Sequence, residues 1–123
     1  MIIVDTDILI DELRGDKRAT KFLSNYENEI FITYLTKMEI LIGARNKKEM
    51  KIIDKALDYL ILKIDDKILE ESIRLLKEYS LKSNIGIIDS INAATAIVNE
   101  LDFYTMNYKH YRGIKGLKLY KPY

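Results

Sequence analysis

Short apolar segments alternate along the whole chain with longer amphipathic ones, and this alternation is the feature that most restricts the fold. The run from Met1 to Val4 is apolar and largely β-branched, which is typical of a strand buried on both faces. Similar runs predict further strands at 30–34, 60–64, 103–105 and 117–120. The intervening segments are long enough for crossover connections. The sequence therefore predicts an α/β fold in which a parallel sheet of about four to five strands is sandwiched by helices.

Helix-start signals occupy the segments between the predicted strands. Asp7 is placed to cap a helix that ends near residue 15, and Asp16 is placed to cap a second short helix. Thr36, followed three residues later by Glu39, matches a capping box and predicts a helix to about residue 44. Longer helices are predicted at 47–59, 66–82 and 88–99. No repeat or linker interrupts this series, so residues 1–123 are predicted to form a single domain.

The composition restricts the expected cellular compartment of the protein and the ligands that are available for a metal site. Of its 123 residues, 48% are hydrophobic and 32% are charged, which is typical of a globular protein. No apolar run approaches the roughly 20 residues of a membrane-spanning helix. The start of the chain has no basic segment and reaches a carboxylate, Asp5, too early for a signal peptide. We therefore expect a cytoplasmic protein with no membrane partner. Because the chain has no cysteine, a metal site must use oxygen ligands or the one histidine, His110.

Three carboxylates lie where predicted strands end or predicted helices begin. Asp5 ends the first strand; with Asp7 as the helix cap, Asp5 is free to face a cleft, although a capping role also fits its position. Glu39 shares a helical stripe with the apolar residues 35 and 42, where an unpaired carboxylate is costly, but a capping box with Thr36 also explains it. Asp89 lies in the first turn of a helix, where the helix dipole alone favours an acidic side chain.

Together these three carboxylates are more informative than any one of them alone. The carboxyl ends of parallel strands meet at one edge of a sheet, and ligands gather there. Three carboxylates at that edge would repel one another strongly without a counter-ion. Because the available donors are oxygens and sulfur is absent, the expected ion is a hard divalent cation such as Mg²⁺ or Mn²⁺. Such ions activate water and stabilise the leaving oxygen in phosphodiester hydrolysis.

Four segments in register resemble the PIN-domain nucleases, in particular the VapC-type toxins of prokaryotic toxin–antitoxin pairs. The segments are VDTDILI (4–10), TKMEILIGA (36–44), IDSINAATA (88–96) and YTMNYKHY (104–111). Their order and separations match the family over essentially the whole chain. The resemblance implies a PIN-like fold and a metal-dependent endoribonuclease that is the toxin of a type II pair. It also implies RNA as the substrate, a homodimer, and a small VapB-like antitoxin that blocks the acidic groove.

The same resemblance assigns roles to individual residues. It implies that the metal is held by three catalytic carboxylates, namely Asp5, Glu39 and Asp89. It implies that supporting hydroxyls near the metal come from Thr6 and Thr105. Asn107 occupies the position where many family members carry a fourth acidic residue, and we count it among the catalytic residues. An amide oxygen can orient a water or weakly ligate a metal but brings no charge. The departure at Asn107 therefore weakens the expected affinity for a second metal ion.

The end of the chain is basic and rich in tyrosine. After Asp102 there is no carboxylate, and the remaining residues include Lys109, Arg112, Lys115, Lys118 and Lys121. Five tyrosines are interleaved with these cations: Tyr104, Tyr108, Tyr111, Tyr120 and Tyr123. Basic and aromatic side chains together suit RNA, whereas a solvated surface with tyrosines packed on the last strand explains the same pattern. His110 is interpreted in the same way, as a surface or packing residue rather than a general base.

Two other functions are considered beside the nuclease. Residues 4–9 resemble the nucleophile motif of haloacid-dehalogenase-type phosphohydrolases, in which the first aspartate attacks phosphorus, but Leu9 stands where Thr or Val is usual and a later acidic pair is missing. A non-catalytic PIN-like binding or assembly module is favoured by Asn107 and disfavoured by the three retained carboxylates. An aspartyl-phosphate on Asp5 would indicate the first alternative, and loss of metal binding the second.

Overall fold

The computed structural model describes every residue from Met1 to Tyr123 and contains five strands and seven helices. The strands are β1 (Ile2–Val4), β2 (Ile30–Ile32), β3 (Leu60–Ile61), β4 (Asp102–Tyr104) and β5 (Lys118–Tyr120). The helices are α1 (Thr6–Leu13), α2 (Lys17–Ser24), α3 (Tyr34–Leu41), α4 (Lys47–Ala56), α5 (Asp66–Ser83), α6 (Ile87–Val98) and α7 (Tyr108–Tyr111). The predicted α/β class and the predicted number of strands are confirmed.

The five strands form one parallel sheet in the order β3-β2-β1-β4-β5. The first strand therefore lies at the centre, which explains why all three of its residues are buried. In this register Val4 is opposite Tyr104, and Tyr104 is opposite Tyr120. The carboxyl ends of β1, β4 and β5 consequently lie side by side, and the residues that follow these strands share one edge of the sheet.

Side chains that alternate along β1 contribute to two separate cores, one on each face of the sheet. Ile3 packs with Phe103 of β4 and with residues of α5 and α6, such as Leu75. Ile2 and Val4 pack on the opposite face, in a cluster that includes residues of α1 to α4. This alternation is the period of two that a strand imposes, and it is why a strand buried on both faces is apolar at every position.

Small side chains bring α6 close to its neighbours. Ala93, Ala94 and Ala96 are at most 1% exposed. The hydroxyls of Ser72 on α5 and Ser90 on α6 lie 2.6 Å apart, so these two helices also meet through a buried hydrogen bond. The small, buried side chains therefore let α6 pack closely, and this packing fixes where the first turn of the helix lies.

Two of the predicted helix caps are wrong. Asp5, not Asp7, caps α1, because the Asp5 carboxylate accepts the Thr6 N–H at 2.8 Å. Thr33, not Thr36, caps α3, because the Thr33 hydroxyl accepts the Thr36 N–H at 3.3 Å. In both places the chain turns into a helix directly after the strand, so the cap lies at the strand end; β1 ends at Val4 as predicted, whereas β2 ends two residues earlier than predicted.

The other differences concern boundaries. The predicted strands at 30–34 and 60–64 end at Ile32 and Ile61, the predicted helix at 47–59 ends at Ala56, and the last two strands each shift by one residue. The short helix α7 was not predicted, because four residues carry no period that a sequence pattern can show. No helix of the chain combines the length and apolarity needed to cross a lipid bilayer.

Candidate active site

Three structural elements bring the predicted carboxylates to the same edge of the sheet. Asp5 follows β1 directly and is 7% exposed. Asp89 lies in the first turn of α6, as predicted. Glu39 lies within α3, which follows β2. The strand order places β1 between β2 and β4, so Asp5 is central among the groups that gather at this edge.

Tyr111 joins two of these carboxylates directly. Its hydroxyl lies 3.1 Å from Asp5 Oδ2 and 3.0 Å from Asp89 Oδ1. The ring is 1% exposed and packs edge-on against Phe103 in the core, at 5.0 Å between ring centroids. A phenol has one proton, so it can donate to only one of the two carboxylates at a time. The hydroxyl therefore holds Asp5 and Asp89 together without neutralising either charge.

The third carboxylate is connected through a threonine. The Thr6 hydroxyl donates a hydrogen bond to Glu39 Oε1. Because Thr6 follows Asp5 in the chain, this bond links α3 to the start of α1. The capping-box explanation for Glu39 is wrong, since Glu39 bonds to Thr6 and not to the start of its own helix. The expected inward apolar stripe is also wrong, because Ile42 is 83% exposed.

Asp7 is a site residue that the sequence interpretation missed. Its Oδ2 accepts the backbone N–H groups of Met106 and Asn107, at 3.0 and 3.1 Å, and the Thr105 hydroxyl at 3.1 Å. Its Oδ1 is buried and has no hydrogen-bond partner. The available signal was the second aspartate two residues after Asp5, which was interpreted as a cap. Asp7 instead ties α1 to the loop that follows β4.

The polar residues after β4 occupy different places in this arrangement. Thr105 is fully buried and its hydroxyl lies 2.9 Å from Asp5 Oδ2. Asn107 is exposed, and its contact with the site is its backbone N–H, which donates to Asp7 and to the Thr105 hydroxyl. The predicted place of Thr105 beside the carboxylates is therefore observed, whereas the Asn107 side chain lies at the rim.

His110 lies closer to the carboxylates than its interpretation as a surface residue suggests. Its Nε2 is 3.1 Å from Asp89 Oδ2. Consecutive residues of α7, His110 and Tyr111, therefore contact the two oxygens of the same carboxylate. The position of Asp89 is consequently determined by α7 as well as by its own helix.

The electrostatics of this edge are those of a group of carboxylates without cationic partners. Asp5, Asp7 and Glu39 form no ion pair with any lysine, arginine or histidine. Burial, and then repulsion from Asp7, raises the pKa of Asp5 from 3.8 to about 6. Burial also raises the pKa of Asp7 above its ordinary value. Burial and the charges of Asp5 and Asp89 raise the pKa of the Tyr111 hydroxyl as well.

These donors suit a hard divalent cation. All are oxygens, Asp5, Asp7 and Glu39 lack a cationic partner, and one buried carboxylate oxygen, Asp7 Oδ1, has an unused lone pair. No three Asp, Glu or His side chains are grouped so that they could hold a metal ion as they stand, and hydrogen bonds from Thr6, Thr105 and Tyr111 engage the carboxylates. The chemistry of the set fits such an ion, and the carboxylates can exchange hydroxyl donors for metal bonds.

A buried amide links the helices that carry two of the carboxylates. Asn92, on the same helix as Asp89, accepts the Thr33 hydroxyl at 2.8 Å and donates to the Thr36 hydroxyl at 3.3 Å. It is 1% exposed. Thr33 caps α3 and Thr36 lies in its first turn, so this network fixes the helix that carries Glu39 relative to α6.

Replacing Asn92 with alanine should therefore destabilise the protein by roughly 1–3 kcal/mol, because buried hydroxyls lose their partners. Asn99→Ala is the matched control, since Asn99 lies just after the same helix, is exposed, and its side chain bonds only to a carbonyl of that helix. Urea unfolding of both variants measures the difference. Equal losses of unfolding free energy in the two variants would show that the hydrogen bonds between α6 and α3 make no specific contribution to stability.

Comparisons with known proteins converge on one family of folds. A family model described as PIN domain matches residues 2–113. Ribonuclease VapC19 of Mycobacterium tuberculosis is 31% identical over 116 residues, which cover 90% of this chain and 92% of that protein. Ribonuclease VapC1 of Rickettsia felis is 32% identical over 128 residues, which cover 96% and 93%. A toxin–antitoxin complex from Klebsiella pneumoniae contains a chain that superposes with a TM-score of 0.85 at 31% identity, covering 100% of this chain and 98% of that one.

Proposed function

The chain belongs to the PIN-domain family, and from that membership we propose that it is a divalent-metal-dependent endoribonuclease, the toxin of a type II toxin–antitoxin pair, acting in the cytoplasm. One observation carries the proposal: Asp5 and Asp89 share the Tyr111 hydroxyl, at the sheet edge where ligands bind, and Asp5 has no cationic partner there. A structural role alone does not explain why Asp5, a buried carboxylate without a cationic partner, is held beside a second carboxylate.

In this proposal the metal is held by Asp5, Glu39 and Asp89, and the ion is Mg²⁺ or Mn²⁺. When bound, such an ion activates a water molecule and stabilises the leaving oxygen in phosphodiester hydrolysis. A bound cation would offset the energetic cost that raises the pKa of Asp5, which comes first from burial and then from repulsion by Asp7.

The remaining residues position these carboxylates or the substrate. Thr6 orients Glu39, while Thr105 and Tyr111 orient Asp5 through its Oδ2. Asp7 holds the backbone of the loop that carries Asn107. The exposed Asn107 amide then faces the RNA side of the site, where it can orient a water or a phosphate oxygen but adds no negative charge.

The antitoxin partner is part of the same proposal. Glu39 lines a cleft of about 640 Å³ between α1, α3 and α4. Apolar side chains of this cleft, including Leu13 and Ile52, are exposed by 36% and 58%. Arg14, which forms no ion pair, also lines it, whereas Arg45 is paired with Glu49; an antitoxin segment with apolar side chains and an acidic side chain for Arg14 would fit and would cover Glu39. The protein of the related Klebsiella pneumoniae structure is likewise part of a toxin–antitoxin complex.

A homodimer is proposed from the exposed apolar side chains of α5. Leu69 and Ile73 are one helical turn apart and are exposed by 40% and 53%. Such a pair on one helix face suits contact with a second copy of the chain, which sedimentation of the purified protein can detect.

The geometry disfavours the phosphohydrolase alternative. A nucleophilic aspartate must reach the phosphorus atom, but Asp5 is 7% exposed and three hydrogen-bond donors lie within 3.1 Å of its oxygens. The second aspartate of that motif acts as an acid or base, whereas Asp7 here binds the backbone of the loop after β4.

The proposal is tested by incubating the purified protein, free of partner, with a structured RNA pool and Mg²⁺ or Mn²⁺. We expect cleavage that EDTA abolishes, and a rise in thermal stability when the metal is added, because an ion that binds only the folded state stabilises it. Absence of both effects would support the non-catalytic alternative. Phosphate bound covalently to Asp5 would instead indicate the phosphohydrolase.

A further inference from the structure

The last part of the chain is an uncompensated basic segment. From residue 103 onward there are five basic side chains and no acidic side chain, although the whole chain carries a net charge of only +1. All five cations are exposed, and none forms an ion pair: Lys109, Arg112, Lys115, Lys118 and Lys121. Positive charge is therefore concentrated on α7, on β5 and on the turns around them.

The sheet register brings this segment to the edge where the carboxylates lie. Asp5, Thr105 and Lys121 are the residues that directly follow β1, β4 and β5. The Asp5 N–H donates to the Tyr104 carbonyl at 2.9 Å, and the Thr105 N–H donates to the Tyr120 carbonyl at 3.1 Å. Because neighbouring strands are about 4.8 Å apart, the backbone of Lys121 lies roughly 10 Å from that of Asp5.

Tyr108 pairs with Lys121 and belongs to the same short helix as Tyr111, which contacts the carboxylates. The Lys121 ammonium lies 5.8 Å from the centre of the Tyr108 ring, a cation–π arrangement. Tyr108 is the first residue of α7, one turn before Tyr111, whose hydroxyl contacts Asp5 and Asp89. An aromatic ring and a cation are thus paired immediately beside the acidic site.

We propose that Tyr108 and Lys121, with Lys109 and Lys118, form the surface that binds the RNA strand next to the bond to be cut. This inference rests on the proposed nuclease function. Lys121 contacts a backbone phosphate, and Tyr108 stacks on the neighbouring base. The strand lies along the outer side of β5, which is open because β5 is an edge strand of the sheet.

Single-stranded RNA fits this surface better than an acidic protein segment does. Phosphates are regularly spaced and alternate with bases, and the surface combines cations with two tyrosine rings, of which Tyr108 is half-buried and Tyr120 is 45% exposed. Tyr120 stacks on Tyr104 at 5.3 Å between ring centroids and 26° between planes, so its ring is already held in one orientation. An acidic peptide would use the cations and leave the rings without a partner.

The test measures RNA binding separately from cleavage. All variants are made in an Asp5→Asn background, and a short fluorescein-labelled single-stranded RNA of mixed sequence is titrated by anisotropy at several salt concentrations. The edge variant replaces Lys109, Lys118 and Lys121 with glutamine. Its matched control replaces Lys47, Lys51 and Lys55, three exposed lysines at helical spacing on α4, next to the opposite edge strand β3.

We expect the edge variant to lower the slope of log affinity against log salt by about 2, because each phosphate contact on a single strand contributes roughly 0.7. The control variant should leave that slope unchanged. Tyr108→Leu should weaken binding by about 10-fold or more and leave the slope unchanged, since stacking involves no counter-ion release.

Equal changes in the edge and control variants would overturn the proposal, because binding would then depend on overall charge. Unaltered binding in the edge variant would overturn it as well. Competition by polyglutamate as effective as that by unlabelled RNA would replace RNA with an acidic protein as the occupant. Failure of the nuclease function itself has a different signature, namely no metal-dependent cleavage by the wild-type protein, whatever the anisotropy shows.

Discussion

Asp5→Asn and Asp89→Asn should each reduce metal-dependent RNA cleavage by more than about 100-fold. Loss of a residue that merely supports a metal ligand typically costs about 10- to 100-fold, and these carboxylates are proposed to hold the metal themselves. An amide keeps the size of the carboxylate; its one oxygen can still accept the Thr6 N–H, and its NH2 group can donate to the Tyr111 hydroxyl, which also accepts hydrogen bonds. The change therefore removes charge with little change of shape. Gel-based cleavage assays with Mg²⁺ and with Mn²⁺ measure the loss.

Asp58→Asn is the matched control for that loss. It makes the same chemical change at an exposed carboxylate that forms no ion pair, and it should cleave RNA at the wild-type rate. Circular dichroism spectra that match the wild type would establish that Asp5→Asn and Asp89→Asn are folded. Residual activity within a few-fold of the wild type in either folded variant would remove that residue from the proposed metal site.

The metal-free protein should become more stable when Asp5 is replaced with asparagine, by roughly 3 kcal/mol well above pH 6. This figure corresponds to a carboxyl pKa that rises from 3.8 in the unfolded chain to about 6 in the folded protein. Burial is the main cause, followed by repulsion from Asp7. Between about pH 4 and pH 6 the folded state holds the proton more tightly than the unfolded state, so wild-type stability falls as the pH rises through that window.

The variant carries no ionisable group at this position, so its advantage should vanish below about pH 4, where Asp5 is protonated in both states. Urea unfolding in EDTA across this pH range measures the difference. Addition of Mg²⁺ should stabilise the wild type and leave the stability of Asp5→Asn almost unchanged. The difference in unfolding free energy between the two proteins should therefore shrink or change sign. An Asp5→Asn variant that is less stable than the wild type at high pH in EDTA would contradict the idea that Asp5 is destabilised by burial without a partner.

Most of the fold follows from local pattern. The apolar β-branched run at the start predicts a strand buried on both faces, and the central position of β1 confirms it. The alternation of strand-length and helix-length segments predicts a parallel α/β sheet because parallel strands require crossover connections. Boundaries are less predictable, because the residue that ends a strand and the residue that caps the next helix are drawn from the same small polar set, as at Thr33 and Thr36.

The candidate site was only partly predictable. Its three principal carboxylates were identified from their positions after strands and at helix starts and from the family resemblance, and their metal-binding role is a prediction still to be tested. Asp7 was assigned to a cap, because a cap and a loop-binding carboxylate require the same residue type near a helix start. The contacts of Tyr111 and His110 with Asp89 join residues about twenty positions apart, and no local pattern encodes such a distance.

The sequence by itself determined the class of fold, the strand ends at which polar groups gather, and the oxygen-only chemistry of any metal site. These properties depend on residue type and short-range spacing, and both can be seen along the chain. Only the tertiary structure decided that one tyrosine hydroxyl joins Asp5 to Asp89, that Asp7 binds the loop after β4, and that Lys121 lies two strands away from Asp5. Those relations depend on strand order and register, which arise when distant segments pack together and bury their apolar faces.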